Sequence, residues 1–262
     1  MVYDASMTPK TTRQKITLNE RGPGVLDGRQ VRAMAFAHAR DDLLDQVLTG
    51  RHLAHGQARA LVVGGGYSPL AASLRDRGLD TTAIDSSTTA TIIARETTDG
   101  VTFRTAPPTA LGVEPRSFDL VYCADTLEVA SDLDAVMASL SSALRQGGTL
   151  ILDTVTDTVI AKLIYLLAFQ RLPFTQIMPP GRYSAARLRN PRDVELSCAA
   201  VGLTVDSVIG FEPASVSALV KAILDRRSGR ITDAALPQTA GFHLSEEGHA
   251  PVVTYFAIAT KH

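Results

Sequence analysis

The feature that most constrains this chain is one short apolar run with glycines behind it. Ala60-Leu61-Val62-Val63 leads into Gly64-Gly65-Gly66-Tyr67-Ser68, and a helical pattern begins at Leu70. A strand with no polar face is buried on both sides, as in a parallel sheet covered by helices. Glycines at a strand-to-helix turn let the backbone approach a ligand closely and aim N–H groups at it. Downstream the rhythm repeats. A helix Leu70 to Arg77 is closed by Gly78, and a strand Thr81 to Ile84 ends at Asp85. A helix Thr89 to Arg95 and strands Val101 to Thr105 and Phe118 to Cys123 follow. A helix Leu133 to Leu144, stopped by Gly147-Gly148, leads to a strand Thr149 to Thr154. This alternation is that of a doubly wound parallel α/β sheet.

The flanks read differently. Residues 1–20 are polar, a tail or a lid, and Gly22-Pro23-Gly24 breaks the chain. From Val31 to Leu48 one helical face carries Val31, Met34, Ala35, His38, Leu43, Leu44 and Val47. Residues 1–56 are therefore expected to form a tail and helical cap, and residues 57–262 the ligand-binding domain. Beyond the fifth strand lie an apolar helix Val159 to Phe169, a Pro/Arg-rich loop and a helix near Pro191 to Ala200. A strand Leu203 to Ile209 and a last, alternating strand Val252 to Ala259 complete the pattern. Segments 158–190 and 212–249 read as insertions that form a substrate lid. Lys162 is the only charge between Val159 and Phe169. Ile160, Leu163, Ile164, Leu167 and Phe169 are thus expected to pack in the lid, line an apolar channel or touch a membrane surface. In the membrane case Arg171, Arg182 and Arg187 would meet lipid phosphates. Otherwise Arg182, Arg187, Arg189 and Arg192 read as a solvated basic face.

Charge and cysteine content narrow the setting. The formal charge is −1, which gives no basic field for a nucleic acid. Cys123 and Cys198 have no C-x-x-C partner and read as reduced core residues of a cytoplasmic protein. Lys10, Arg13 and Lys15 leave no apolar stretch for a signal peptide near the N-terminus, and no run is long enough to span a bilayer.

The glycine turn is not a dinucleotide fingerprint, because the sixth place of G-x-G-x-x-G falls on Pro69. Asp85, about 20 residues on, can accept both hydroxyls of a ribose. Turn and acid together point to a nucleoside ligand.

Two further stretches carry a resemblance. Ser117-Phe118-Asp119-Leu120-Val121 is followed by Leu144-Arg145-Gln146-Gly147-Gly148-Thr149-Leu150. With the glycine turn they resemble class I S-adenosylmethionine-dependent methyltransferases, with Gln146 where that family has proline. The chain is most similar to the O-methyltransferases of ubiquinone biosynthesis. Val121 to Glu128, Pro179-Pro180-Gly181-Arg182-Tyr183 through Asn190-Pro191, and Tyr255 to Lys261 carry that likeness. The resemblance implies a Rossmann-like methyltransferase fold, a seven-stranded, mostly parallel sheet with the last strand antiparallel. It implies S-adenosyl-L-methionine as cofactor, held by Gly64, Gly65, Gly66, Asp85, Ser86, Pro107 and Ala124. Val62 stands where the family has an acid, Ser68 where it has a third glycine, and the acid near Pro107 is missing.

The implied activity is methylation of a small apolar acceptor, foremost a phenolic hydroxyl. C- or N-methylation of an isoprenoid or alkaloid-like metabolite is the alternative within secondary metabolism. A non-catalytic S-adenosylmethionine-binding protein is the alternative outside the enzyme class. The catalytic candidates are His38 in the cap helix, Tyr183 at the family's histidine position, and Asp125. Asp125 and Glu128 match acids that relatives associate with a divalent metal, but Val129 replaces the adjacent histidine. Two carboxylates alone hold Mg²⁺ weakly, so a metal is not strictly required. His52 and His55 read as loop residues, while His243 and His249 lie in the second insertion.

Overall fold

In the computed structural model, residues 14–53, 58–67, 69–246 and 248–262 are described. The sequence readings at Lys10, Arg13, His55 and Ser68 lie outside them. The chain opens on two short parallel strands, β1 (Lys15–Thr17) and β2 (Val25–Asp27), which the sequence pattern did not announce. Asp27 caps the next helix by accepting from the backbone N–H of Arg29 at 2.9 Å and of Gln30 at 3.4 Å. It also accepts from the Tyr67 hydroxyl, which ties this strap to the glycine turn. The single cap helix expected from Val31 to Leu48 is two, α1 (Gly28–Ala35) and α2 (Ala37–Gly50). They part at Phe36, whose ring wedges edge-on against Phe211 and Phe242 at 4.8 and 4.7 Å.

The sheet core runs as expected. It comprises β3 (Arg59–Gly64), α3 (Leu70–Asp76), β4 (Asp80–Asp85), α4 (Thr88–Thr97), β5 (Thr102–Thr105) and β6 (Phe118–Ala124). Then come α5 (Leu133–Ala143), β7 (Leu144–Val155), and α6 (Val159–Lys162), which widens into a π-helical turn, Leu163–Ala168. The C-terminal part is α7 (Pro191–Ala200), β8 (Leu203–Glu212), α8 (Val216–Arg227), α9 (Leu236–Ala240), β9 (His243–Leu244) and β10 (Thr254–Lys261). The strand order is β5-β4-β3-β6-β7-β10-β8-β9, and β10 is antiparallel to both of its neighbours. The seven expected strands are present, with β9 as a two-residue edge addition too short to leave a period in the sequence.

Two apolar cores lie on the two faces of the sheet. Strand β6 shows why its sequence is continuously apolar: Leu120, Tyr122 and Ala124 enter one core, and Phe118, Val121 and Cys123 the other. The first core receives α1, α2, α3 and the C-terminal helices, and the second receives α5 and α7. Cys123 and Cys198 are free and buried, as expected of core residues. No helix among the described residues is long and apolar enough to cross a membrane.

A buried ion cluster joins the cap to the sheet. Arg40 of α2 donates from Nε and Nη2 to the two Asp153 carboxylate oxygens at 3.1 and 2.9 Å, and from Nη2 to Asp125 at 2.8 Å. All three side chains are almost wholly buried. Removing one partner from such a cluster leaves a charge without compensation. Arg40→Met should therefore destabilise the fold by about 3–5 kcal/mol at neutral pH. Without the guanidinium, the folded-state pKa of the buried carboxyls rises above the unfolded value, so the deficit should shrink as pH falls toward the unfolded carboxylate range. Urea denaturation across that pH range is the measurement; a deficit that is absent, or that grows on acidification, refutes the role given to Arg40.

Candidate active site

The glycine turn sits at the C-terminal edge of the sheet, between the ends of β4 and β6. Gly64, Gly65 and Gly66 all take positive φ, at 81°, 76° and 57°. A Cβ on Gly64 would fall inside the Ala124 carbonyl and the Thr126 hydroxyl, so only glycine lets these strand ends meet. The turn borders a polar pocket of about 440 Å³. The sheet contributes Val63, Gly64, Ile84, Asp85, Asp125 and Thr126, and the loops add Ser86, Ser87, Ala106 and Pro108. Asn19 and Arg29 from the N-terminal part, and Arg182 and Arg187 from the first insertion, close it.

Of the expected cofactor residues, Gly64, Asp85 and Ser86 line the pocket, joined by the catalytic candidate Asp125, and Gly66 donates its N–H to Asp85 at 2.9 Å. Ala124 contributes through its backbone beside Gly64. Pro107 does not face the pocket: it turns to solvent, and its neighbours Ala106 and Pro108 take the wall. The donor set suits a nucleoside that carries an amino-acid tail. Ile84, Ala106 and Pro108 give an apolar wall, Asp85 a ribose acceptor, and the arginines a site for a carboxylate.

One contact qualifies that fit. Arg29 forks onto Asp85, with Nη1 at 3.1 Å from Oδ1 and Nη2 at 2.6 Å from Oδ2. Asn19 accepts from the same guanidinium at 2.7 Å. Both oxygens a ribose would use are thus occupied by a side chain of the cap, and a ribose must displace it.

A second cavity of about 660 Å³ lies under the cap helices. Its wall is almost entirely apolar, with Phe36, Phe169, Phe211, Phe242, Leu219 and Ile223 prominent. Arg32 also lines it. The Arg32 Nη1 atom bonds Asp125 at 3.0 Å and donates to Glu128. Since Asp125 lines the polar pocket, the Arg32–Asp125 pair is the seam between the two cavities.

The seam is electrostatically tense. Asp125 holds a left-handed φ of 50°, a strained conformation of the kind found at functional sites. Burial pushes its carboxyl up, but the Arg32 and Arg40 guanidinia outweigh burial and hold it below the usual carboxylate range. Asp153 goes the other way, pushed up to about 6 because burial exceeds the help from Arg40. Glu128 is fully buried, paired with Arg32 and accepting from the Thr154 hydroxyl at 3.1 Å. The two carboxylates considered as metal ligands are thus engaged by guanidinia. Among the described residues no group of three or more His, Cys, Asp or Glu comes together that could hold a metal ion.

Other sequence candidates fall elsewhere. His38 is on the exposed face of α2 and lines neither cavity; the two residues after it, Ala39 and Arg40, are the buried ones. Tyr183 is buried, its ring 5.0 Å from that of Tyr165 and 6.0 Å from the Arg32 guanidinium. Burial pushes its hydroxyl upward, with Arg32 opposing only in part, so it stays protonated. The basic face is not simply solvated. Arg187 donates to the Val129 carbonyl at 3.0 Å, and Arg189 to those of Leu127 and Ala130 at 3.2 and 2.7 Å, stapling the loop after β6. His52, His243 and His249 are all exposed, and of the three only His243 borders the large cavity. Arg29, Arg32 and Arg40 are the residues that the periodicity argument overlooked. A signal existed: Arg32, Phe36 and Arg40 recur every four residues on the buried stripe, where an unpaired charge has no place.

Comparison with known proteins adds a family to this geometry. Residues 61–152 match the methyltransferase domain family. A ubiquinone biosynthesis O-methyltransferase of Xanthomonas euvesicatoria is 30% identical over 163 residues, covering 60% of this chain and 67% of the relative. The enzyme of that name from Azotobacter vinelandii is 26% identical over 165 residues, covering 61% of this chain and 70% of the relative. Among solved structures, magnesium protoporphyrin IX methyltransferase from Synechocystis, with bound S-adenosylhomocysteine, superposes with a TM-score of 0.55 at 15% identity. That match covers 87% of this chain and 86% of the other. An S-adenosylmethionine-dependent methyltransferase from Mesorhizobium loti gives 0.52 at 17% identity, covering 81% and 96%.

The Asp85–Arg29 contact yields a paired expectation for S-adenosylhomocysteine, read by calorimetry. Asp85→Ala should weaken binding by roughly 1.5–3 kcal/mol, the value of hydrogen bonds to a charged acceptor. Arg29→Met should tighten it, since the competitor for the same oxygens is gone. Unchanged affinity in Asp85→Ala would remove Asp85 from the ribose site.

Proposed function

This chain belongs to the class I S-adenosylmethionine-dependent methyltransferases, and from that premise we propose that it methylates a phenolic hydroxyl on a small apolar acceptor. The observation that carries the reading is the pairing of cavities: a large apolar one meets the polar one at the Arg32–Asp125 pair. S-adenosylmethionine, when bound, supplies an electrophilic methyl carbon on a sulfonium. The chain's part is alignment and electrostatics. Asp125, held ionised below its usual range, is too weak a base to take a phenolic proton. It serves instead as a fixed negative charge for a cationic centre in the polar pocket. The large cavity excludes water from an apolar acceptor and points its inner end at the seam.

Oxygen is favoured over carbon as the attacked atom by what surrounds the seam. Methylating an alkene or arene carbon calls for aromatic faces free to stabilise a cation. Here Phe36 and Tyr165 already face the Arg32 guanidinium, at 5.1 and 5.5 Å. The relatives named as O-methyltransferases lean the same way. The direct test supplies 4-heptylphenol and 4-heptylcatechol with S-adenosylmethionine and reads the products by mass spectrometry. Aryl methyl ethers are expected; methylation only on carbon or nitrogen substrates, or none at all, refutes O-methylation.

The apolar segment after β7 splits its duties. Ile160, Ile164 and Phe169 line the large cavity, while Val159 and Leu163 are 73% and 55% exposed beside its mouth. Val216, Val220 and Val252 continue the exposed rim. An apolar rim around an apolar entrance supports peripheral contact with the membrane from which a greasy acceptor would be drawn. Arg182 and Arg187 are not free to meet lipid phosphates, since they face the polar pocket; Arg171 is exposed. On this reading the protein floats with liposomes, and Leu163→Glu reduces flotation without lowering the melting temperature. A protein that stays with the soluble fraction at every lipid composition would contradict it.

A further inference from the structure

Arg32 has a free edge. Its Nη1 atom carries the bonds to Asp125 and Glu128, but Nε and Nη2 are buried without a hydrogen-bond partner among the described residues. These two N–H groups lie on the same side of the guanidinium and form its side-on fork, the geometry that receives two oxygens, or one oxygen between them. The side chain is only 5% exposed and lines the large apolar cavity. Phe36, Tyr165 and Tyr183 surround its guanidinium carbon at 5.1, 5.5 and 6.0 Å, and neither tyrosine hydroxyl hydrogen-bonds the fork. Two buried, unpartnered donors on a side chain that lines an apolar cavity are costly unless a group entering that cavity reaches and satisfies them.

We infer that Arg32 is the specificity-determining residue for the acceptor: it receives, on its Nε–Nη2 edge, an oxygen group at the leading end of an otherwise apolar molecule. Two chemistries share that feature, a phenolic oxygen and a carboxylate. The inference deepens the function proposed above and rests on it for the direction of entry. It assigns an acceptor an apolar body, filling the cavity among Phe36, Phe211 and Phe242, and one oxygen-bearing head. It also accounts for how an acceptor hydroxyl is handled where Val129 leaves no imidazole beside Asp125 and Glu128. The acceptor is bound as its phenolate, the proton left to solvent on entry, and the guanidinium lowers the energy of that ionised oxygen by donating to it; the oxygen then takes the methyl carbon while the sulfur keeps the C–S electron pair as a neutral thioether. The fork stays a donor at every relevant pH, because an arginine this paired does not deprotonate.

The test measures equilibrium binding by calorimetry to protein saturated with S-adenosylhomocysteine, so no turnover is needed. The probes share one apolar body and differ at the head: heptylbenzene, 4-heptylphenol and 4-heptylbenzoate. At least one oxygen-headed probe should bind about tenfold or more tighter than heptylbenzene, which corresponds to one or two net hydrogen bonds. Which of the two gains more identifies the head as phenol or carboxylate. Arg32→Lys keeps the charge but loses the fork and should lose most of that preference. Arg32→Met alone exposes Asp125 and Glu128 as unpaired buried charges, so the informative removal is Arg32→Met combined with Glu128→Gln, which preserves the charge balance. In it heptylbenzene affinity should hold while the oxygen-headed preference disappears. A wild-type protein that binds all three probes alike, or a preference that survives the double substitution, overturns the inference. A third readout separates this idea from the broader function. Nitrophenol bound at a pH below its own pKa should show the phenolate absorption band in wild type and not in the double variant. If that band forms yet no phenol is methylated, the reaction assignment fails and Arg32 stands. If phenols are methylated without it, Arg32 is not the residue that holds them.

Discussion

The arrangement depends on charges buried where the cap meets the sheet. Arg32 and Arg40 come from α1 and α2, while Asp125, Glu128 and Asp153 come from β7 and the loop after β6. Phe36 lies between the two arginines, with both guanidinia over its ring at 5.1 and 5.5 Å. Burying such groups gains little net stability over an apolar equivalent, because desolvation offsets most of the attraction. What the cluster does supply is registry. An apolar cap could slide on an apolar sheet face, whereas forked guanidinia fit their carboxylates in one placement. That placement sets the distance between the two cavities, and so between whatever each of them holds.

The cluster also explains the opposite displacement of its carboxyls. Asp125 pairs with both arginines and is held ionised, while Asp153 bonds Arg40, is helped by Arg32 only at a distance, and stands beside another carboxylate. The same fold edge thus carries one acid fixed in its charged form and another within reach of protonation near neutrality. Asp125 borders the polar pocket and Asp153 is sealed behind it. The fixed charge is therefore the one placed where a cationic ligand group would feel it.

Legibility in the sequence followed the range of the forces involved. The strands, the glycine turn and Asp85 were readable because each is a local matter: alternate burial on two faces, positive φ, a strand end. Tyr122 beside Cys123, facing opposite cores, leaves its mark in the sequence directly. The cap was not readable in the same way. An amphipathic period finds the buried stripe from Val31 to Val47 but says nothing of what a charged residue on that stripe will meet 85 residues later, as Arg40 meets Asp125. His38 shows the converse error, since a titratable side chain on a helix near the site draws attention although its direction is outward. Pro107 missed by one residue for a similar reason: a loop's facing alternates, and spacing alone does not say which member turns inward.

The division of labour along the chain follows from this. The stretch shared with the methyltransferase domain family, residues 61–152, builds the sheet core, the glycine turn, Asp85 and Asp125. The large apolar cavity is built outside it, by α1 with Phe36, the widened turn after α6, the end of β8, and α8 and α9. A cofactor common to many enzymes asks the same of each, so the residues that meet it stay recognisable across low identity. An acceptor asks something different of every enzyme, and here the answer is written in side chains of flexible spacing on helices that share no motif. Arg29 makes the link between the halves physical, because a cap residue holds Asp85 at the end of β4. Any ligand that claims Asp85 in the polar pocket therefore acts on the position of the cap over the apolar cavity, since releasing Asp85 loosens one of the contacts that seat α1.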